Sequence, residues 1–286
     1  MEEKNERGET LKEFLARYDE TKYRRPSNTV DMILLTVLKG KLKVLLVKRK
    51  DHPFIHDWAM PGGFVNFDED LDTAMKRELE EETNLFDSTY FRQLYTFGNA
   101  DRDPRTRVIT TVYLSMTPAE NIKMTSAGDD AMDTGWFTIQ KITTTSDGYE
   151  RKSVLMLDEE EKGIHLRYEI YDTACDNYVQ TRSKLLDSSN AKLAADHIKA
   201  INMAIDVVRN RAASTGIMFN LLPKECTLRE IQEVYEAIVN HPVDTGNFRR
   251  DIKKMLVATG NTTIVNGRKV ATYSFNPLLP FVKETL

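Results

Sequence analysis

The stretch GFVNFDEDLDTAMKRELEEETNL, residues 63 to 85, decides the reading of the chain. From Glu69 to Thr83 its spacing predicts a helix. At about 100° per residue, Leu71, Ala74, Met75 and Leu85 fall on one arc. Glu78, Glu81 and Glu82 project within that same arc, whereas Asp72, Thr73, Lys76, Glu80 and Thr83 take the solvent-type surface. A solvated acidic face is the ordinary explanation for a glutamate run, and the facial placement argues against it. Three close, semi-buried carboxylates repel one another and resist desolvation unless a cation is present. Glu80-Glu81-Glu82 also sits in the last turn, where the helix dipole disfavours negative charge. Such broken local rules mark function. Oxygen donors without His or Cys point to Mg²⁺ or Mn²⁺ rather than zinc, and magnesium in turn suggests a phosphate-bearing ligand. Arg77 is placed to fix a glutamate rotamer by a charged hydrogen bond, and Asn84 suits a left-handed C-terminal cap.

Upstream, residues 29 to 38 (TVDMILLTVL) and 42 to 48 (LKVLLVK) read as buried strands joined by a Lys39-Gly40-Lys41 hairpin. The loop His52 to Gly63 follows. Its Gly62-Gly63 pair lets the backbone approach a ligand, and Trp58 is either a base-stacking platform or a core residue. Downstream, strands are expected near 90 to 98 and 107 to 116. Between them Asp101 to Arg107 presents Arg102, Arg105 and Arg107, whose forked donors suit phosphate oxygens; surface solubility is the other reading. Trp136 to Ile139 reads as one more short strand after a Gly128-Asp129-Asp130 turn, closing the first domain near residue 142. KSVLML and IHLRYEIYD suggest a further hairpin, and Ala191 to Ala213 a connecting helix with Ser188, Ser189 and Asn190 as candidate caps.

With 286 residues, a net charge of −4 and 29% charged residues, the chain fits two domains and excludes both disorder and a generally cationic surface. An acidic, polar N-terminus and the absence of any long apolar run give no sign of a signal peptide or membrane span, so a cytoplasmic protein is expected. Cys175 and Cys226 read as free thiols.

Thr227-Leu228-Arg229-Glu230 is a capping-box start to a helix running to about Asn240. A second helix from Thr245 or Gly246 turns Phe248, Ile252, Met255 and Leu256 inward and displays Arg249, Arg250, Lys253 and Lys254. A hairpin around Asn266-Gly267 adds Arg268 and Lys269 as a wing. From Pro242 to Asn276 these six cations face only Asp244 and Asp251, a local +4 in a chain of net −4. Such localisation suits double-stranded DNA. A winged helix used for protein contacts is the bland alternative.

Gly63, Glu69, Arg77-Glu78-Leu79, Glu81-Glu82 and Asn84-Leu85 match the Nudix box at every position but its last glycine. The resemblance implies an α/β/α Nudix sandwich that binds a nucleoside diphosphate linked to another moiety. It also implies that Glu78, Glu81 and Glu82, with the Gly63 carbonyl, hold the metals that activate water. Arg25-Pro26, Thr29-Val30-Asp31, the 52 to 64 loop, the 101 to 107 segment and Phe248-Arg249-Arg250 further resemble the Nudix-related transcriptional regulators of NAD metabolism and their sugar-responsive relatives. That resemblance implies an α/β (α+β) chain: an arm (1 to 24), a Nudix core (25 to 142), a hairpin insert and connecting helix (143 to 213) and a winged helix-turn-helix domain (214 to 286). It implies a homodimer that senses an effector such as ADP-ribose and binds operator DNA. The acidic set is intact, so a dedicated Nudix pyrophosphohydrolase, with Glu78, Glu81, Glu82 and Arg77 catalytic, is the rival reading. Trp58, Gly62, Gly63, Arg102, Arg105 and Arg107 are the candidate ligand contacts.

Overall fold

A computed structural model describes residues 2–83, 90–122, 131–176, 178–276 and 278, except for the side chains of Ala131 and Met132. After a short helix α1 (Leu11–Arg17), whose Thr10–Glu13 capping box is complete and which buries nothing, the chain enters β1 (Ser27–Leu38). Lys39 and Gly40 both adopt positive φ, the two-residue turn that a right-twisted hairpin prefers, and β2 (Lys41–Arg49) returns antiparallel. Two short strands follow: β3 (Trp58–Ala59) pairs with β2, and β4 (Gly62–Phe64) pairs with β1. Next come helix α2 (Leu71–Thr83), β5 (Tyr90–Phe97) and β6 (Val108–Met116), the last running parallel to β1.

The expected short strand at 136 to 139 is the middle of β7 (Ala131–Ser146), and the preceding Gly128-Asp129-Asp130 turn lies outside the described residues. Pairing does not stop at residue 142. It continues through β8 (Glu150–Glu159), β9 (Ile164–Cys175) and β10 (Tyr178–Leu185), so the 143 to 190 segment extends the same sheet. The described strands form one ten-stranded sheet, in the order β10-β9-β8-β7-β2-β1-β6-β5 with β3 and β4 on its flank. The hairpin expected from KSVLML and IHLRYEIYD is β8 and β9, whose alternate burial is the strand signal; what local periodicity does not show is that β8 pairs with β7 and that β10 follows.

Both sheet faces are covered, as a sandwich requires. Val30, Met32 and Leu34 pack with Ala74, Met75 and Leu79 of α2. Ile33, Leu35, Val44 and Leu46 pack on the opposite layer, built by helix α3 (His197–Ala212). That helix starts later than Ala191, at His197: residues 191 to 196 lie outside it, Leu193 bridges to Trp58, and Ser188 to Asn190 therefore do not cap it. Trp58 is 1% exposed and meets Phe137 edge-on at 4.8 Å between ring centroids.

The C-terminal unit follows a 3₁₀ turn (Gly216–Leu221) and contains α4 (Leu228–Val239), α5 (Thr245–Ile252) and the antiparallel hairpin β11 (Leu256–Val265) and β12 (Arg268–Phe275). The Thr227–Glu230 capping box is present, and Asn240 closes α4 in the left-handed conformation. Leu256 opens a strand rather than ending the helix, because α5 gives way to a 3₁₀ turn at Lys253–Met255. Ile231, Val234 and Ile238 of α4 join the same apolar cluster as α3 and the sheet. Among the described residues no helix is long and apolar enough to cross a membrane.

Phe137 is fully buried where the original and added strands meet. Phe137→Ala is expected to destabilise the chain by about 3–5 kcal/mol, read from denaturant unfolding.

Candidate functional site

The site lies where β4 crosses β1. Val30 stands opposite Gly63 and Asp31 opposite Gly62. Gly62 has φ +154°, and a side chain there would meet the Val30 carbonyl oxygen at 2.2 Å. At Gly63 an added Cβ would lie 2.1 Å from Oε1 of Glu78, so the missing side chain is what lets a buried carboxylate approach the strand backbone. Glycine is required at both positions.

Arg77 organises the carboxylates of α2. Its Nη2 and Nε donate to Glu69 at 2.7 and 3.1 Å, its Nη1 to Glu78 at 2.7 Å and to Glu81 at 3.2 Å, and its Nη2 to the Phe64 carbonyl at 3.1 Å. Glu69 also accepts the Asn66 N–H, and the Arg77 guanidinium holds its carboxyl down at about 2. Burial pushes the Glu78 carboxyl the other way, up from its ordinary value, with Arg77 opposing. Helical periodicity correctly turned Glu78 inward but misplaced two neighbours. Glu81 is 59% exposed, and Thr83 is buried, with its hydroxyl bonded to the Leu79 carbonyl. Asn84 and Leu85 lie outside the described residues.

Among the described residues no three acidic, His or Cys side chains converge on one point, because Arg77 stands between Glu78 and Glu81. The donor set nevertheless fits a hard divalent cation: Gly63, Glu78, Glu81 and Glu82 line one cleft, and the Gly63 backbone is open to Glu78. Exposed Glu81 has room to turn onto a cation.

The cleft measures about 890 Å³ and reaches from these carboxylates to Arg102, Arg105 and the Arg49 to Phe54 loop. Arg102 is 7% exposed; its Nη2 and Nε donate to Asp196 at 2.9 and 3.3 Å, and Asp31 lies 3.8 Å away. Arg105 is braced by Asp103 and lies over the Phe64 ring at 5.6 Å. Two expected contacts are not in the cleft. Trp58 lies in the core, its backbone bonded to Lys192 and Ala194, and Arg107 is exposed outside the lining, its carbonyl accepting the Ser27 N–H.

Sequence reasoning missed Asp31, Arg49 and His197 as lining residues. His197 opens α3 and accepts the Met60 N–H on Nδ1 at 2.9 Å; burial lowers its pKa and keeps it neutral. A lone histidine at a helix start gives no periodic signal.

The second surface is the winged helix. Phe248 and Ile252 anchor α5, with Phe248 against Tyr235 at 5.2 Å, and Arg249, Arg250, Lys253 and Lys254 are all exposed. Asn266 and Gly267, both at positive φ, turn the hairpin and leave Arg268 and Lys269 exposed beside its tip. All six cations are thus exposed: Arg249 and Arg250 on α5, Lys253 and Lys254 on the 3₁₀ turn that follows it rather than on the helix as expected, and Arg268 and Lys269 on the wing.

Gly63→Ala is expected to weaken Mn²⁺ binding by roughly 10-fold or more, measured by calorimetry. Glu69 has a depressed pKa, so its pairing stabilises the fold fully above 4.5 and is lost as the pH falls toward about 2. The difference in melting temperature between the wild type and Glu69→Gln should therefore narrow across that window.

Comparisons with known proteins agree with this geometry. The NUDIX domain family matches residues 26–157, and the NrtR DNA-binding winged helix domain matches residues 218–275. The chain is 28% identical to the ADPR responsive transcriptional repressor NtrR of Acinetobacter baylyi over 92% of this chain and 87% of that protein. It is 34% identical to an ADP-ribose pyrophosphatase of Methanocaldococcus jannaschii, over 49% of this chain and 80% of that protein. The crystal structure of Shewanella oneidensis NrtR complexed with a 27mer DNA superimposes with a TM-score of 0.58 at 26% identity, over 87% of this chain and 93% of that one. With its glycine-cradled glutamate site on one sheet and its basic helix and wing beyond, the chain belongs to the Nudix family, in the form that joins a Nudix domain to an NrtR winged helix domain.

Proposed function

We propose that this protein is a homodimeric, cytoplasmic transcriptional regulator whose Nudix domain binds an ADP-ribose-like nucleoside diphosphate with Mg²⁺ or Mn²⁺, and whose winged helix binds double-stranded operator DNA. The observation that carries this reading is one chain holding both a carboxylate-and-arginine cleft and six exposed cations on α5, the 3₁₀ turn after it and the wing. The cleft is charged at both ends, which matches a metal-bridged diphosphate: Gly63, Glu78, Glu81 and Glu82 would hold the cation, and Arg102 and Arg105 face the anionic oxygens. The A. baylyi relative, named as ADPR responsive, and the S. oneidensis structure with DNA support the two halves.

The intact acidic set favours a second activity at the same cleft, hydrolysis of the bound diphosphate. When bound, the cation supplies charge neutralisation and a more acidic water. The chain's own part is orientation: Arg77 fixes Glu69 and Glu78, and Gly63 leaves room for the Glu78 carboxylate.

ADP-ribose should change the affinity for DNA from the protein's own genomic neighbourhood, measured by fluorescence anisotropy at fixed salt. Indifference of DNA binding to the nucleotide, with hydrolysis intact, would leave a dedicated hydrolase. Arg249→Ala with Arg250→Ala should lower the slope of log affinity against log salt by about 2 while ADP-ribose binding is unchanged. Glu81→Gln with Glu82→Gln should lower Mg²⁺-dependent ADP-ribose hydrolysis at least about 10-fold, and full retention would refute the metal assignment.

A further inference from the structure

Arg102 has two claims on it. Its guanidinium lines the cleft, yet its hydrogen bonds go to Asp196, the residue immediately before α3. Aspartate is among the best residues for capping a helix, because its carboxylate can accept the first free N–H groups. Asp196 makes no such bond; φ −100° and ψ 16° turn its backbone away from the extended conformation that capping uses. The preceding Ala195 sits at φ 44°, left-handed for a residue with a Cβ. Arg102 thus holds the Asp196 carboxylate while the helix start goes uncapped by it, and Ala195 and Asp196 are the hinge-like joint between α3 and the preceding segment. One residue further on, His197 is bonded to Met60 and supplies a pivot.

What lies beyond the hinge is the DNA-binding unit. Helix α3, about 24 Å long, carries Asp206, which meets buried Lys141 of β7 at 2.7 Å and Arg151 of β8 at 3.2 Å. Near its end Arg209 donates to the Ile238 carbonyl in the last turn of α4 at 2.9 Å and to the Lys141 carbonyl at 3.2 Å. Movement at residue 196 therefore reaches α4, the first helix of the winged-helix domain, through a stiff element tied at each end.

We propose that Arg102 is a two-way switch: the anionic oxygens of the bound nucleoside diphosphate draw it off Asp196, and the released carboxylate caps α3. That helix then turns about His197 and carries α4 with it, lowering the affinity for DNA. The inference rests on the regulator reading above and specifies how its two sites communicate. Ligand and helix compete for one guanidinium, so the coupling is reciprocal: DNA binding must in turn weaken nucleotide binding by the same factor.

The test uses the full-length protein, ADP-ribose with Mg²⁺ and a bound DNA fragment. Asparagine caps helices well but cannot hold Arg102 by charge, so Asp196→Asn should imitate the liganded state. DNA affinity without ADP-ribose should fall toward that of the liganded wild type, ADP-ribose should lower it less than about 2-fold further, and ADP-ribose itself should bind more tightly. The wild type is expected to respond by about 5- to 150-fold. An equally large response in Asp196→Asn, with its circular dichroism unchanged, overturns the switch and leaves the regulator intact. No response in the wild type overturns both. Hydrogen exchange of the wild type provides a check that needs no variant: the Lys199 amide already donates to the Asp196 carbonyl at 2.9 Å, so ADP-ribose should slow exchange of the Ile198 amide, and unchanged exchange there overturns the switch.

Discussion

Strand β1 has no free side, and the rest of the molecule is arranged around that constraint. It pairs with β2 and β4 on one flank and β6 on the other, while its alternate residues are buried under α2 and α3. A strand enclosed in this way cannot slip by one residue without exchanging Val30, Met32 and Leu34 for Ile33 and Leu35 between two different layers. Its register is therefore fixed, and so is everything set against it. Gly62 and Gly63 approach Asp31 and Val30 at a defined height, and Glu78 is placed against Gly63 by a helix whose own seat is the other face of β1.

Charge is then positioned on this frame by mutual restraint. Glu78 is taken out of water and its proton affinity rises; Glu69 stays ionised far into acid because it shares the same arginine. Arg77 reconciles the two, at once a structural tie between β4 and α2 and a guard against repulsion among the glutamates. At the far end of the cleft the roles reverse: one arginine, Arg102, lies between Asp31 and Asp196. A ligand with concentrated negative charge on one part and a cation on another meets complementary groups at each end.

Much of this was legible in the residues. The hairpin at Lys39-Gly40, the capping box at Thr227, the turn at Asn266-Gly267 and the inward face of Glu78 all depend on interactions within a few residues, which sequence spacing encodes directly. The failures share a cause as well. Residues 143 to 190 show their hairpin locally but not its place in the sheet, because the pairing of β8 with β7 and the cover from α3 join segments far apart in the chain. The helical spacing of Leu193 places the start of α3 too early, since Leu193 is buried by a bridge to Trp58, 135 residues away in the chain. Trp58 itself, ambiguous by composition, was settled by its contact with Phe137 from β7. Asp31 and His197 escaped notice because their relevance lies in which distant segments they face.

The unbroken sheet has a consequence for how such a chain can be divided. Ligand cleft and DNA-binding unit look like modules that could be cut apart at residue 142, yet β7 pairs with β8 on both sides of that position and α3 covers the added strands. A break there would strip β7 of its outer neighbour and leave a row of open backbone donors and acceptors on a long, flat edge, the surface on which strands of separate molecules join. The 143 to 190 strands thus act as an edge guard. Exchanging the cleft-bearing part for another therefore means either carrying these strands along or covering the edge of β7 in another way.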